Sequence, residues 1–435
     1  MSMGPETTDE FERLHPDLPI YGVPNGDRYI VYSPGRTVIL ATQQEVGTAV
    51  AAIEAHAASV KERWARATTA PFSPECLTVY LSNRCNCRCL YCYAAACRED
   101  DGETVAPEAV GAAAEVVAES CAAKGQRFRL VAHGGGEPTV HPELLRRIVA
   151  DTRAAARDCG IEWRGYIATN GVMSEEQAAW VAENFDAAGV SHDGPPDLHD
   201  RQRPLPDGRS SLGAVERTIG ILRDRGIDVS VRTTLLPEAV DRQREVVEYL
   251  VGRLGVTRVR LEPVYVGRRE GGRAFAPNDA ERFAERFLEA QRRAGELGGE
   301  LSLSGIRMNE LHGPYCNVLR SALHLVPGTA ATACFFVTDA ASASAAGAGI
   351  GEWDPEAGTF RLDRELIGKL CAGAGAIPAE CESCICAYHC SRGCPDVCVV
   401  QEGVAAGVGG FRCRVARLLA VGWLRGSGAG LPSGS

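Results

Sequence analysis

The chain contains 435 residues, of which 45% are hydrophobic and 23% are charged, a composition typical of a folded protein with a buried core. Its net charge of −10 argues against a protein that binds nucleic acid through phosphate contacts, and no apolar run approaches the roughly 20 residues of a membrane span. We therefore expect neither a nucleic acid nor a membrane as a partner. Its 18 cysteines follow an acidic, polar N-terminus that is unlike a secretory signal, so we expect a cytoplasmic protein with metal or redox chemistry.

The first 70 residues are predicted to form a small extension. Two strands, at Arg28–Tyr32 and Thr37–Ala41, flank a Ser-Pro-Gly turn, and an Ala-rich stretch over Gln43–Ala67 is typical of a helix. We expect a hairpin followed by a helix over residues 1–70.

Strand and helix signals then alternate through residues 71–305, which we predict to be one domain. Helices are expected at Pro107–Lys124, His141–Ala156, Ser174–Asn184, Leu212–Arg225 and Asp241–Leu254. Strands are expected at Cys76–Ser82, Phe128–Ala132, Trp163–Thr169, Asp186–Ser191, Asp228–Thr234 and Thr257–Glu262. Six such units on a parallel sheet are two fewer than a full barrel needs, so the sequence predicts an α/β fold with a partial (β/α)6 barrel.

Three cysteines follow the first of these strands at metal-ligand spacing. Cys85-x3-Cys89-x2-Cys92 can hold three corners of a cubane iron–sulfur cluster, whose fourth iron then lacks a protein ligand. A structural zinc site is the alternative, although such sites usually close with four ligands. Cys87 lies between the ligands and is expected not to bind.

This cysteine motif, with Tyr91 before its last cysteine, resembles the signature of the radical S-adenosylmethionine (SAM) superfamily. The resemblance implies that SAM chelates the open iron and that Tyr91 packs near the adenine. Gly134–Glu137 after the second strand is similar to the Gly-Gly-Glu motif of the family, in which the turn approaches the SAM ammonium group. Residues 191–203, which follow the fourth strand, resemble the Ser-x-Asp-Gly-Pro…His-Asp…Arg segment found in the peptide-modifying branch of the superfamily. These likenesses give Gly135, Gly136, Glu137, Ser191, Asp193 and Arg203 as further SAM-binding candidates.

A second cysteine group lies near the C-terminus, and its order resembles the SPASM extension, which carries two auxiliary cubane clusters. The resemblance implies an outer cluster held by Cys381, Cys384, Cys390 and Cys413, and an inner cluster held by Cys316, Cys334 and Cys394. We expect this domain over residues 306–425, a loop over Ala340–Gly351 and a flexible tail over residues 426–435. A zinc module is the alternative.

The inner cluster is then one ligand short. Three outcomes remain open: an iron free to bind substrate, a substitute cysteine, or the non-cysteine ligand His312. The substitute cysteines considered are Cys371, Cys386 and Cys398.

The resemblance implies cofactors and partners for the whole chain: SAM, three 4Fe–4S clusters, a precursor peptide and an external one-electron donor of the flavodoxin or ferredoxin type. We expect a maturase that abstracts a side-chain hydrogen atom from a ribosomally made peptide and forms a crosslink. The extension over residues 1–70 would then be part of a leader-peptide-binding element. Epimerisation of a peptide, oxidation of a sulfatase Cys or Ser, and a non-catalytic iron–sulfur or zinc protein are the alternatives.

Overall fold

The computed structural model describes residues 11–35, 37–94, 102–264, 274–311, 319–375, 379–390 and 409–426. Of the 18 cysteines, 14 lie in these ranges, and all 14 are free thiols. The candidates Cys316, Cys394, Cys398 and His312 lie outside the described residues.

The N-terminal residues form a four-stranded antiparallel sheet followed by a long helix. The strands are β1 (Glu12–Arg13), β2 (Tyr21–Asn25), β3 (Arg28–Ser33) and β4 (Thr37–Thr42), paired in that order, and the helix is α1 (Val46–Thr69). The predicted hairpin and helix are confirmed. Helix α1 buries residues at three- and four-residue spacing, Ile53, Ala57 and Val60 among them, and this spacing places one apolar stripe against the sheet.

A second sheet contains eleven strands. In chain order they are β5 (Cys76–Tyr80), β6 (Phe128–His133), β7 (Trp163–Thr169), β8 (Ala187–Ser191), β9 (Asp228–Leu235), β10 (Arg258–Pro263), β11 (Glu300–Ser302), β12 (Ala322–Leu325), β13 (Ala330–Thr332), β14 (Gly349–Asp354) and β15 (Thr359–Leu362). Their order across the sheet is β11-β10-β9-β8-β7-β6-β5-β12-β13-β14-β15. The stretch from β11 to β12 is parallel, and the last four strands pair antiparallel.

Helices connect the parallel strands. In chain order they are α2 (Pro107–Lys124), α3 (Pro142–Asp158), α4 (Glu175–Asn184), α5 (Pro196–Gln202), α6 (Leu212–Asp224), α7 (Gln243–Val247) and α8 (Ala280–Glu296). Later helices are α9 (Ala340–Ala345), α10 (Arg364–Gly375) and α11 (Phe411–Arg425). All six predicted strands of the partial barrel are confirmed, as are the five predicted helices between them. The last of these helices is split, because its 3-10, α and π turns run from Pro237 to Arg253.

The side chains of a parallel strand alternate between the two faces of the sheet, and this alternation shows which face packs against the helices. On β9, Val229, Val231 and Thr233 are buried on one face, whereas Ser230 and Thr234 lie half-buried on the other. The apolar face packs under the helices, and the polar face lines the concave side of the sheet. The open barrel therefore presents a polar concave surface.

The prediction of a loop over Ala340–Gly351 is wrong. The segment forms helix α9 and the start of strand β14. Asp339 caps the helix, since its side chain accepts a hydrogen bond of 2.7 Å from the Ser342 N–H, and β14 gains backbone partners on both edges. Low sequence complexity does not prevent structure here because the neighbouring strands supply the hydrogen bonds.

The N-terminal sheet shares the main core of the protein. Tyr21 and Tyr32 are fully buried in it, and Ile20 and Val31 pack with α1 on the other side. At the opposite end of the chain, Phe411 of α11 stacks on Phe275 with 4.6 Å between the ring centroids. The boundaries at residues 70, 305 and 425 stay predictions. Among the described helices, none has the length and apolar character to cross a membrane.

Candidate active site

The first cysteine motif lies in the loop between β5 and α2, at the carboxyl end of the first barrel strand. Cys85, Cys89 and Cys92 are all half-buried there. The loop is bonded to the turn that follows β6: the Gly136 N–H donates to the Ser82 carbonyl at 2.9 Å, and the Glu137 N–H donates to the Arg84 carbonyl at 2.8 Å. The Gly-Gly-Glu motif thus fixes the backbone that leads into Cys85.

This turn needs glycine because the two backbones approach closely. A Cβ at Gly136 would lie 2.0 Å from the Arg84 carbonyl oxygen, and one at Gly135 would lie 2.1 Å from the Asn83 side-chain oxygen. Both distances are far below van der Waals contact, so no larger residue fits without moving the loop. That Asn83 oxygen is itself buried and has no hydrogen-bond partner within the described residues.

Glu137 connects the ends of two strands. One of its carboxylate oxygens accepts hydrogen bonds from the hydroxyls of Thr139 and Thr169, both at 2.7 Å, and from the Thr139 N–H at 3.1 Å. The other accepts from the Asn170 N–H at 2.6 Å. Burial raises the pKa of Glu137, and these hydrogen bonds oppose the rise. The carboxylate therefore holds the site together; contact with SAM stays a prediction.

Asn170, at the end of β7, links that strand to the cysteine loop. Its side-chain amide donates to the Asn86 side-chain oxygen at 2.7 Å and points at the Cys85 sulfur at 3.6 Å. Asn86 in turn donates to the Val172 carbonyl at 2.7 Å. The side of the loop nearest β6 and β7 is thus held by strand ends.

The far side of the loop is held by the segment after α5. The Arg88 N–H donates to the Pro204 carbonyl at 2.8 Å, and the Leu90 N–H donates to the Gln202 carbonyl at 3.0 Å. The predicted residues Tyr91, Asp193 and Arg203 meet in this region. Tyr91 donates to the Asp193 carboxylate at 2.7 Å, and Arg203 donates to the Tyr91 hydroxyl.

Asp193 is the anchor of this network, being almost fully buried. Its second carboxylate oxygen accepts from the Thr234 N–H at 3.1 Å, and Gln202 donates to the first at 2.9 Å. A buried carboxylate is stable when its oxygens are hydrogen-bonded and a cation is close, as Arg203 is through Tyr91. The neighbouring His192 and His199 accept from backbone N–H groups and are structural.

The electrostatic environment favours a thiolate at Cys89. A hydrogen bond with Cys87 and the Arg203 guanidinium lower the pKa of the Cys89 thiol to about 6, while burial raises that of Cys85 to about 12. Cys87 is buried and hydrogen-bonded to the Cys89 thiol, and its exclusion from the ligand set stays a prediction. A bound cluster would deprotonate all three ligands outright.

The three thiols of this loop are compatible with a cubane cluster. In the described ranges, no three His, Cys, Asp or Glu side chains converge closely enough to hold one ion. A cubane binds each thiolate through a different iron, so its three ligands stand apart around the cluster. The three thiols are half-buried and the Arg203 guanidinium lies near Cys89, and both features suit an anionic cluster.

The concave face of the sheet continues this site. Ser191 lies half-buried at the end of β8, opposite Arg232 of β9 in the strand register. On the other flank Tyr80 donates to the Phe335 carbonyl at 2.8 Å, and its ring lies edge-on to His133, with centroids 4.7 Å apart. This part of the face carries polar groups beside apolar residues such as Val131, and SAM binding by Ser191 stays a prediction.

The second cysteine group is built around residues 381–390. Cys384, Cys390 and Cys413 all lie near the buried Cys386, whose thiol is hydrogen-bonded to Cys384. That hydrogen bond lowers the pKa of the Cys384 thiol to about 7. Cys386, considered above as a substitute ligand of the inner cluster, thus lies among candidates for the outer one.

The N-terminal sheet packs directly on this group, a contact that the sequence did not reveal. The Tyr32 hydroxyl lies 2.5 Å from His389 Nε2, and His389 Nδ1 lies 2.7 Å from the Glu310 carbonyl. Trp64 of α1 packs on Tyr388 with 5.1 Å between the ring centroids. No signal in the sequence links these residues, because Tyr32 and His389 are 357 positions apart.

Cys334, a candidate of the inner cluster, lies near Tyr80 and Tyr93, and its sulfur accepts from the Phe336 N–H at 3.4 Å. Cys371 lies elsewhere, where its thiol contacts the Leu319 carbonyl at 3.3 Å. Because Cys316 and Cys394 lie outside the described residues, the inner ligand set stays a prediction.

Comparison with known proteins covers both the sequence and the fold. Residues 79–250 match the family model described as the radical SAM superfamily. An uncharacterized protein of Methanocaldococcus jannaschii, MJ0907, is 25% identical over 177 residues, which are 40% of this chain. The chain spans 58% of the length of that relative.

Two groups of solved structures resemble the chain more fully. The sulfatase maturase anSMEcpe with bound AdoMet has a TM-score of 0.65 at 16% identity, over 82% of this chain and 100% of its own. SuiB of Streptococcus suis bound to its precursor peptide SuiA has a TM-score of 0.50 at 13% identity, over 86% of this chain and 82% of its own. At these identities the likeness shows the fold.

Proposed function

We propose that this chain, whose residues 79–250 match the radical SAM family model, is a maturase that crosslinks a side chain of a ribosomally made peptide. The observation that carries the proposal is the joint placement of the cysteine loop and the polar concave face at the carboxyl ends of the same strands. An open parallel barrel forms its active site at that edge. The fold match to anSMEcpe, a maturase, extends over 82% of the chain and supports the same conclusion.

Cys85, Cys89 and Cys92 would hold the SAM-binding 4Fe–4S cluster, and Tyr91, Gly135, Gly136, Glu137, Ser191, Asp193 and Arg203 would form the walls of the SAM site. When bound, the reduced cluster would supply one electron for the cleavage of SAM into methionine and a 5′-deoxyadenosyl radical, which would take a hydrogen atom from the substrate and become 5′-deoxyadenosine. The chain itself orients these groups. The buried Asp193 fixes Tyr91 and Arg203, and the glycine turn fixes the cysteine loop against β6.

We assign two auxiliary 4Fe–4S clusters to the C-terminal cysteines. Cys381, Cys384, Cys390 and Cys413 would hold the outer cluster; Cys316, Cys334 and Cys394 would hold the inner one. The nearness of Cys384, Cys390 and Cys413 to one another around Cys386 supports the outer assignment. Cys334 lies near Tyr80 and Tyr93, close to the first cysteine motif, and an inner cluster there would accept an electron from the substrate.

A peptide is the substrate that the structural neighbours favour. anSMEcpe was crystallised with the Cp18Cys peptide, and SuiB with the precursor peptide SuiA. An external one-electron donor of the flavodoxin or ferredoxin type would reduce the clusters in the cytoplasm. The N-terminal sheet would hold part of a leader peptide, and its strand β4, with half-exposed Leu40, forms an edge of that sheet.

The test is an anaerobic reaction of reconstituted protein with SAM, dithionite and the peptide encoded beside its gene. We expect deoxyadenosine and a peptide lighter by two hydrogen atoms, with no deuterium taken up from D2O. An unchanged mass with deuterium incorporated would instead indicate epimerisation. A product that reacts with a hydrazide would indicate oxidation of Cys or Ser to an aldehyde, and absence of deoxyadenosine would exclude the proposed chemistry altogether.

A further inference from the structure

Two arginines stand side by side on the concave face of the barrel. Arg232 of β9 and Arg260 of β10 are direct partners in the parallel register of these strands. Neither guanidinium makes a hydrogen bond or an ion pair with any residue that the structure describes. Burial and the neighbouring charge of Arg232 lower the pKa of Arg260, in that order of size.

The carboxylates nearby offset only part of this positive charge: Glu262 opposes the lowering of the Arg260 pKa, which burial and Arg232 outweigh. Glu262, the next residue of β10 on the same face, uses one oxygen to accept from the Ser304 N–H at 3.0 Å, and its other oxygen is buried without a partner in the described ranges. Glu310 is engaged in an ion pair of 3.0 Å with Arg307. The half-buried Arg320 lies close to that pair and adds a further positive charge.

Such an arrangement costs free energy in the absence of a ligand. Like charges placed opposite one another in a sheet repel. The Arg260 guanidinium is half-buried and loses hydration without an acceptor, whereas Arg232 is exposed. A planar guanidinium can donate two parallel hydrogen bonds to the two oxygens of a carboxylate. Two adjacent arginines offer more than one such pair of donors. An anion between Arg232 and Arg260 would remove the repulsion and satisfy the donors.

Only one member of the pair borders the predicted SAM site: Arg232 lies opposite Ser191 in the strand register, whereas Arg260 lies one strand farther away. The cysteine loop follows β5, whereas β10 lies five strands away across the sheet and next to β11. Arg260 also lines a cleft formed with Ser302, Arg307, Asn309 and Trp423. A second molecule therefore has access to Arg260 through this cleft.

We propose that Arg232 and Arg260 bind a carboxylate of the peptide substrate, either an acidic side chain or the C-terminus, and so select which residue faces the reaction. This inference rests on the proposed function, since it assumes that a peptide occupies the concave face. The inference predicts that the peptide substrate carries a carboxylate close in sequence to the residue that is modified.

The test measures binding of fluorescein-labelled hexapeptides by anisotropy to reconstituted protein with SAM present. One peptide of glycine and serine carries a central glutamate and an amidated C-terminus, a second has glutamine instead, and a third has glutamine with a free C-terminal carboxylate. We expect one of the carboxylate peptides to bind at least tenfold more tightly than the neutral one. Which of the two does so separates an acidic side chain from the C-terminus.

Variants then locate the effect. Arg260→Gln and Arg232→Gln should each abolish the preference for the carboxylate, whereas Arg260→Lys should retain part of it. Arg258→Gln is the matched control, because Arg258 lies two residues before Arg260 on the same face of β10 and is ion-paired with Asp228. This control should keep the full preference. Iron content and SAM affinity of every variant show whether the fold and the SAM site are intact.

Three results would overturn the inference: equal affinity of wild-type protein for all three peptides, an unchanged preference in both glutamine variants, or loss of SAM affinity in those variants with the peptide preference retained. The last result would assign the pair to the carboxylate of SAM. Deoxyadenosine formation without peptide tests the proposed function separately. If wild-type protein forms none but still prefers the carboxylate peptide, the proposed function fails and the anion site stands.

Discussion

The two cysteine regions differ in what holds them in place. The loop over residues 85–92 is held by groups of its own barrel: the turn at Gly136, the Asn170 amide and the backbone of Gln202 and Pro204. The segment over residues 381–390 is held by the opposite end of the chain, through Tyr32 of the N-terminal sheet. A barrel thus positions its cysteine loop through the ends of its own strands, whereas the C-terminal segment depends on a distant sheet.

The regions also share one feature. In each, a buried thiol two positions from a predicted ligand is hydrogen-bonded to it: Cys87 to Cys89, and Cys386 to Cys384. In each pair the ligand candidate has the lowered thiol pKa. Neither partner needs to bind iron, because a hydrogen bond to a cluster sulfur tunes a site from outside it.

The largest difference between the regions should follow from removal of a ligand. Cys89→Ala should abolish deoxyadenosine formation and remove about four of the roughly twelve iron atoms that three cubanes hold. Cys413→Ala should also lose iron but keep SAM cleavage, since Cys413 belongs to the C-terminal group. Iron assay and chromatography of the reaction measure both. Cys159→Ala, at the end of α3, is the control and should change neither.

The support of the first region is tested by Gly136→Ala. The new methyl group would lie 2.0 Å from the Arg84 carbonyl and must displace the cysteine loop. We expect a loss of about 1–3 kcal/mol in the free energy of unfolding and loss of SAM affinity. Gly220→Ala is the control: nothing lies within 4 Å of a Cβ at this helical position, so it should stabilise by about 0.5–1 kcal/mol. Equal effects of the two variants would refute the role of the turn.

The support of the second region is tested by a pair of tyrosines with opposite expectations. Tyr32→Phe removes the hydroxyl that pairs with His389 Nε2 and should cost about 1–3 kcal/mol, with loss of auxiliary iron before that of the SAM site. The Tyr21 hydroxyl is buried with no hydrogen-bond partner among the described residues, so Tyr21→Phe should be neutral or stabilising. Denaturant unfolding and iron assay measure both. A costly Tyr21→Phe with a neutral Tyr32→Phe would contradict this account.

The smallest effect concerns acid sensitivity, which we expect to reside in the barrel. Burial lowers the pKa of His133 to about 3, whereas the unfolded chain takes up a proton at this residue near pH 6.5. Its contribution to stability is therefore full above pH 6.5 and declines as the pH falls towards 3, by up to about 1.4 kcal/mol per pH unit. Urea unfolding at pH 7.5 and 5.5 should show a smaller difference for His133→Gln than for wild-type protein. Equal differences in the two proteins would show that His133 does not contribute.

Much of the fold could be predicted because the barrel repeats one local pattern. Each predicted strand, such as Trp163–Thr169, carries a short β-rich run, and each connecting helix has an apolar face, so periodicity identifies both. The strand β2 was missed because Gly22 and Pro24 weaken its strand signal, and it pairs along its length with β3 all the same. The prediction of a loop at Ala340–Gly351 was wrong for the same reason, because pairing with neighbouring strands outweighed the weak strand preference of these residues.

The sequence by itself determined the cysteine spacing, the six strands and the motifs at their ends, because ligand spacing and periodicity are local properties. Only the tertiary structure revealed that Glu137 joins two strand ends and that Tyr32 contacts His389. It also revealed that Arg232 and Arg260 are register partners and that neither makes an ion pair with a described residue. These contacts arise when distant segments pack together. Their partners depend on register and burial, which no short stretch of sequence encodes.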